Sequence, residues 1–377
     1  MTQNSIYTDY NANVPMRNCA KEILIETIEI AGNPSSIHKN GQKLRRIIEN
    51  ARKEINQSIG NISGELIFTS GATESAQLAI ESATSMGFKN VFLNASEHDA
   101  VYKYALSKYP NAKLIPNDEN GIADINWLSG EIEGIDRPLV ILMAVNNETG
   151  VIQDIAKAST IARQKGGAIL VDAVQAFGKI DASGFIGYCD WAILSGHKIG
   201  ACVGVGAIIY AAGIEPSFNR PGGGQEKSIR SGTMNAPAIA SFGKAAIEIA
   251  NNIDENEKIK SIRDDFENKL QVLFRDVIII GKNAKRIGNT SCFAIPNMFA
   301  EHLVISLDLD GICISAGSAC SSGSTKVSRA IAALNLDEKL SKCFVRVSFG
   351  YQSDESHADI IIDAIQKAVI RAGKVAA

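Results

Sequence analysis

Three short stretches combine residue types that can do chemistry with a local pattern able to place them. In FTSGATES (68–75) an apolar strand runs into a glycine turn and then a helix through Ala76, Leu78 and Ile80. Backbone amides at such a helix start, with the positive end of the helix dipole, suit a phosphate monoester cradled by Gly71, Ala72 and Thr73; a plain capped turn is the alternative. In LVDAVQ (170–175) Asp172 ends a strand expected to be buried, where a carboxylate is costly unless a cation answers it. A protonated pyridine nitrogen is one such cation; capping of the next helix is the plainer use. In LSGHKIG (194–200) Lys198 follows Ser195, Gly196 and His197 at the rim of an apolar strand. Desolvation there lowers an amine's pKa and lets it form a Schiff base with an aldehyde.

These stretches must be held by strands and helices, and the surrounding pattern supplies both. Short continuous apolar runs at 66–68, 91–93, 139–143, 169–171, 191–194 and 207–210 are rich in branched residues. They fit strands buried on both faces of a mainly parallel sheet, with helix-length segments between them. One such helix opens after NPSS, whose serines offer capping oxygens, and places Leu44, Ile47, Ile48, Ala51 and Ile55 on one face. Near residue 250 a charged stretch, NNIDENEKIKSIRDD, reads as a connecting helix. Beyond it come shorter strands (277–280, 312–314, 344–347) and helices (301–309, 327–334, 355–372). The expected fold class is therefore α/β: a large domain, 15–250, and a smaller α+β domain, 1–14 with 251–377.

Composition excludes several classes. With 38 Lys and Arg against 41 Asp and Glu the net charge is −3, so the chain has no basic character to hold nucleic acid. The stretch LVILMAV (139–145) falls far short of the roughly 20 residues of a membrane helix. The start MTQNSIYTDY lacks the basic and apolar regions of a secretory signal, which suggests a cytoplasmic protein. The cysteines, Cys19, Cys189, Cys202, Cys292, Cys313, Cys320 and Cys343, form no CxxC pair, which argues against a disulfide framework or structural zinc.

Taken in order, the three stretches resemble the pyridoxal-phosphate enzymes of the aspartate-aminotransferase fold type (PLP fold type I), and more closely the cysteine desulfurases of the NifS/IscS type. The motifs GNPSSIH, FTSGATES, SEHDAV, VNNETGVIQD, VDAVQAFGK, SGHK, RSGT and SAGSACSSGS carry the resemblance in family order along nearly the whole chain. It implies a mainly parallel seven-stranded sheet between helices, with the smaller domain carrying a catalytic cysteine loop. It further implies that Lys198 holds pyridoxal 5′-phosphate and moves the substrate α-proton, that Asp172 keeps the ring nitrogen protonated, and that Gln175 bonds the ring oxygen. His98 stacks on the ring and shuttles protons; Asn147 touches cofactor and substrate, whereas Asn146 is structural. Phosphate contacts come from Ala72, Thr73, Ser195 and His197, with Thr233 donated by the other subunit of a homodimer.

By the same resemblance Arg346 grips the substrate carboxylate, a role its planar fork suits. Cys320, set among glycines and small residues, attacks the substrate sulfur and carries it as a persulfide. L-Cysteine is then the substrate, alanine the product, and an iron-sulfur scaffold or other acceptor protein the sulfur's destination. The resemblance also implies Cys320 as a transient iron-sulfur cluster ligand. Two alternatives share these motifs: a selenocysteine lyase, and a non-catalytic paralogue that binds a scaffold. The chain departs from the family in two places. After SGHK it reads IGACVGVGAI, with Cys202 and Val203 where a proline and a lysine are usual, and Asn13 and Val14 stand where paired threonines line the substrate approach. Burial is the plainer reading of Cys202, a solvated first turn that of His302, and GVGAII lacks the third glycine of a dinucleotide loop.

Overall fold

The structure is a computed structural model that describes residues 5–61, 63–214, 222–316 and 327–375. After a short strand β1 (Ile6–Tyr7) and helices α1 (Asn18–Ile28) and α2 (Lys39–Ser58), strands and helices alternate. They are β2 (Glu65–Thr69), α3 (Ala72–Ser85), β3 (Asn90–Asn94), α4 (Asp99–Lys108), β4 (Lys113–Ile115), α5 (Ile125–Glu131), β5 (Pro138–Met143), α6 (Ile155–Gln164), β6 (Ala168–Asp172), β7 (Trp191–Ser195), β8 (Gly206–Tyr210) and α7 (Ala236–Asn251). Strands β2 to β8 form one seven-stranded sheet in the order β2-β8-β7-β6-β5-β3-β4. Only β8 runs antiparallel to its neighbours, so the mainly parallel sheet expected from the apolar runs is present.

Both faces of this sheet are buried, and adjacent residues of one strand enter different cores. Val140, Leu142, Ile169 and Val171 pack with Leu44, Ile48, Ala158 and Phe242 of α2, α6 and α7. Leu139, Ile141 and Leu170 pack with Leu78 of α3 and Val101 of α4. That two-residue alternation with no polar face is why these strands read as unbroken apolar runs. On α2, Leu44, Ile48, Ala51 and Ile55 are buried as expected. Its cap differs from the expectation, because the His38 ring, rather than a serine, accepts from the Gly41 amide at 3.3 Å.

The rest of the chain builds a second core. Helices α8 (Glu255–Leu273), α9 (Ala300–Leu309) and α12 (Ser356–Val375) cover an antiparallel sheet, β12-β13-β10-β9, made of β9 (Ile278–Ile279), β10 (Thr290–Ala294), β12 (Ser315–Ala316) and β13 (Phe344–Ser348). Phe266 anchors it, with ring centroids 5.7 Å from Phe293 and 5.9 Å from Phe349. The helix expected over 327–334 is reduced to one turn, α10 (Arg329–Ala332), and α11 (Glu338–Ser341) is equally short. The first strand, β1, leaves the large sheet altogether and pairs in parallel with β11 (Ile312–Cys313). Among the described residues no helix is long and apolar enough to cross a membrane.

Candidate active site

Every chemically suggestive side chain of the large sheet stands at a strand end or in the turn after it. Asp172 closes β6 and is buried; its Oδ1 accepts from the Val174 amide at 2.9 Å. Burial pushes its pKa up, while the charges of His98 and Lys198 pull it down. Lys198 ends a single 3₁₀ turn after β7, and its Nζ donates to the backbone carbonyls of Asn11 and Ala12, each at 2.7 Å. The same turn holds His197, whose Nδ1 lies 3.0 Å from Ser195 Oγ. Burial first and Lys198 second push the His197 pKa down to about 4, so its ring is neutral near pH 7.

Strand β2 leads through Gly71, at φ 155°, into α3, leaving Ala72 and Thr73 as its first two residues. A Cβ added at Gly71 would meet nothing within 4 Å, so the helix end is open. The neighbouring strand approaches from behind: a Cβ on Gly206 would lie 2.7 Å from the Gly71 backbone. The second glycine of GVGAII thus serves close packing against the cradle. At the start of α4 the His98 Nδ1 accepts from the Ala100 amide at 3.2 Å, which leaves the proton of a neutral ring on Nε2.

The N-terminal segment ties these turns together through a residue that sequence reasoning missed. Asn11 is buried; its carbonyl accepts from Lys198 Nζ and from Gln175 Nε2, the latter at 2.9 Å. Its side-chain oxygen accepts from Lys179 Nζ at 2.8 Å and from Asn289 Nδ2 at 3.0 Å, while its Nδ2 reaches the Asn147 carbonyl at 3.1 Å. Its amide donates to Ser348 Oγ at 3.0 Å. Lys179 also donates to Gln175 Oε1. Because the Asn11 carbonyl can only accept, its contact with Gln175 Nε2 fixes which end of the Gln175 amide is nitrogen and leaves Oε1 toward Lys179. Burial, with the nearby charges of Lys198 and Arg346, drives the Lys179 pKa well down.

Arg346 lies on β13 with 8% of its side chain exposed, 2.5 Å from Asp9 Oδ1 and 2.9 Å from the Asn147 carbonyl. The anion that a buried arginine demands is thus first supplied by the chain itself, and its Nε finds no partner among the described residues. Asn146 behaves as a structural residue, its Oδ1 accepting from the amides of Glu148 and Thr149 at 2.9 Å. Two further acids escaped the sequence. Glu97 is buried against Met143 N with Oε2 unmatched among the described residues, its pKa driven well up by burial and by Asp172. Burial likewise pushes Glu148 up to about 7, although Ser328 Oγ donates to it at 2.6 Å.

Cys320 lies outside the described residues, but both flanks of its segment are placed. Ser315 pairs in register with Arg346 on β13, and Ser328 on the other side bonds Glu148, next to Asn147. Thr233 is exposed on the single protomer, as is His302 on α9. Cys202 is half-buried, packed against the large core, with its amide on Ser241 Oγ at 3.0 Å. The departures near the N-terminus differ in consequence. Val14 is buried and its amide holds the His197 carbonyl at 3.0 Å, whereas Asn13 is exposed. Among the described residues no three His, Cys, Asp or Glu side chains group as a metal site.

A mainly parallel sheet with a lysine and a buried carboxylate at neighbouring strand ends, facing an open helix start, is the framework of a pyridoxal-phosphate enzyme. The aminotransferase class-V family model matches residues 6–361. The chain is 33% identical to cysteine desulfurase IscS of Dictyoglomus turgidum, over 97% of this chain and 94% of that protein. It is 32% identical to cysteine desulfurase IscS 1 of Archaeoglobus fulgidus, over 97% of both. A NifS-like protein from Rickettsia africae superposes with a TM-score of 0.88 at 32% identity, covering 97% of this chain and 99% of that one. The chain belongs to the class-V aminotransferase family and, within it, to the cysteine desulfurases. Pyridoxal 5′-phosphate is the cofactor of this family. The residues fit it: Asp172 is a buried carboxylate suited to a cationic ring nitrogen, and Gly71 and Gly206 keep a helix start open for phosphate.

Proposed function

We propose that this protein converts L-cysteine to L-alanine, with the sulfur held as a persulfide on Cys320 and passed to an acceptor protein for iron-sulfur cluster assembly. The observation that carries this reading is the near-complete match, from end to end, to proteins named cysteine desulfurase. Cofactor binding falls to Lys198, with Asp172 at the ring nitrogen, Gln175 at the ring oxygen, His98 and Asn147 beside the ring, and Ala72, Thr73, Ser195 and His197 around the phosphate. When bound, pyridoxal phosphate supplies an electrophilic carbon and an electron-withdrawing ring.

The chain's own residues do the rest. Arg346 orients the substrate by its carboxylate; its buried Nε, without a partner among the described residues, and its existing pairing with the carboxylate of Asp9 support that role. Lys198 Nζ takes the proton from the substrate Cα, and the carbonyls of Asn11 and Ala12 aim that amine. The Cys320 thiolate attacks the substrate sulfur; the carbon–sulfur bond breaks, its electron pair staying with carbon, which is then protonated to give alanine. In net terms, cysteine plus the Cys320 thiol gives alanine plus the Cys320 persulfide. The flanks of the Cys320 segment, at Ser315 beside Arg346 and Ser328 beside Glu148, support its reaching the substrate.

The same reading includes a cytoplasmic homodimer, with Thr233 completing the partner's phosphate site, and transient cluster ligation by Cys320. It also includes a division into a large unit, 15–250, and a smaller one, 1–14 with 251–377, supported by the pairing of β1 with β11 and by the separate core around Phe266. The test is to measure alanine and sulfide from cysteine in wild type and Cys320→Ala. Loss of sulfide release with the yellow cofactor colour retained is expected; full activity in the variant rules the role of Cys320 out.

A further inference from the structure

The first turn of α3 contains an acid at the place where a phosphate is proposed to sit. Glu74 is its third residue, with 14% of its side chain exposed, and its Oε2 accepts from the Ser70 amide at 2.6 Å. A carboxylate and a phosphate dianion both seek the positive end of the same helix, and each weakens the other's hold on it. Arg230 meets Glu74 as a two-point pair, Nε to Oε1 at 3.0 Å and Nη2 to Oε2 at 3.1 Å. Although burial pushes the Glu74 pKa up, Arg230 and the Ser70 amide hold it below the ordinary carboxylate range, so the pair is ionic.

Arg230 is not needed to moor its own segment. Glu226 is buried, takes both terminal nitrogens of Arg52 at 2.6 and 3.0 Å, and accepts from the Phe68 amide at 2.7 Å. Lys227 adds a contact to Glu65 at 2.6 Å. These contacts hold Glu226, Lys227 and Ser228 at φ of 45°, 56° and 63°, a left-handed run that would not persist unsupported. With the loop fixed upstream, what Arg230 adds is charge.

We propose that Arg230 is a positioning residue that neutralises Glu74, so that the α3 helix start accepts a phosphate dianion instead of repelling it. The proposal rests on the reading that the cofactor phosphate occupies this helix start. It is tested on the full-length chain, stripped of cofactor and titrated with pyridoxal 5′-phosphate and with pyridoxal, following intrinsic fluorescence and visible absorbance. Arg230→Met should weaken pyridoxal 5′-phosphate by about tenfold or more. It should leave pyridoxal within about twofold, and Arg230→Lys should fall between. Adding Glu74→Gln to Arg230→Met should restore affinity to within about threefold of wild type. A double variant as weak as Arg230→Met overturns the proposal, as does an unimpaired Arg230→Met. If Arg230→Met does not fold, Glu74→Gln alone decides: affinity at or above wild type supports neutralisation, and a tenfold loss overturns it. Failure of the phosphate reading itself has a separate signature, in which wild type binds both compounds equally and inorganic phosphate does not compete.

Discussion

Lys179 offers a quantitative check on the buried hub around Asn11. Its amine touches Asn11 Oδ1 and Gln175 Oε1, and its enclosure, with the nearby cations Lys198 and Arg346, drives its pKa well down. An unfolded lysine titrates near 10.4. Between the depressed folded value and that figure the unfolded chain binds one more proton than the folded chain. Stability must then rise with pH across this window and fall as pH drops toward the folded pKa, by up to about 1.4 kcal/mol per pH unit. Lys179→Met removes this dependence. It also strands Gln175 Oε1, costing about 1–3 kcal/mol, against which the relief of an enclosed amine works in the opposite direction. Urea unfolding of both cofactor-stripped chains from pH 7 to 10 gives the difference in slope directly, since every other titrating group is common to the two. Parallel stability curves would show that the amine is not desolvated, and the account of Lys179 would fail.

Three other perturbations follow from the site. Lys198→Ala should abolish the covalent cofactor absorbance; an unchanged visible spectrum refutes its assignment. Glu148, pushed up to about 7 by burial, is protonated when folded over a range where the unfolded chain has already lost the proton. Stability should therefore be lost as pH rises from about 4.5 through 7, by about 3 kcal/mol, and Glu148→Gln should flatten that loss in unfolding measured at pH 5 and pH 8. Arg346→Lys removes the two-point fork and should raise the KM for cysteine at least about tenfold with a smaller change in kcat; an unchanged KM argues that Arg346 serves only Asp9 and the Asn147 carbonyl.

The central strands were legible because burial on both faces leaves only apolar branched residues, as in the run 139–143. Strand β4 was not, because two of its three residues, Lys113 and Leu114, are exposed at the sheet edge. Nor was β10, whose sequence TSCFA fills a fully buried strand with small and partly polar side chains instead of a branched apolar run. In the site, side chains on strand ends announced themselves, and their family roles came from resemblance. The groups that aim Lys198 did not, since they are backbone carbonyls of Asn11 and Ala12, which any residue type carries. Lys179 reads in sequence as one of 38 cations, and only enclosure by Asn11 and Gln175 distinguishes it.

The reach of Asn11 also dictates when the site can exist during synthesis. Its amide is bound to Ser348, 337 residues later, and its carbonyl holds Lys198. At typical elongation rates of roughly 5 to 20 residues per second, Asn11 waits roughly 20 to 70 s for that partner to be made. A ribosome-bound chain can complete the seven-stranded sheet, lysine included, before the strand that holds the Asn11 amide has been made. A product cut short before β13 would carry the lysine without Arg346 and without the Ser348 that holds the Asn11 amide.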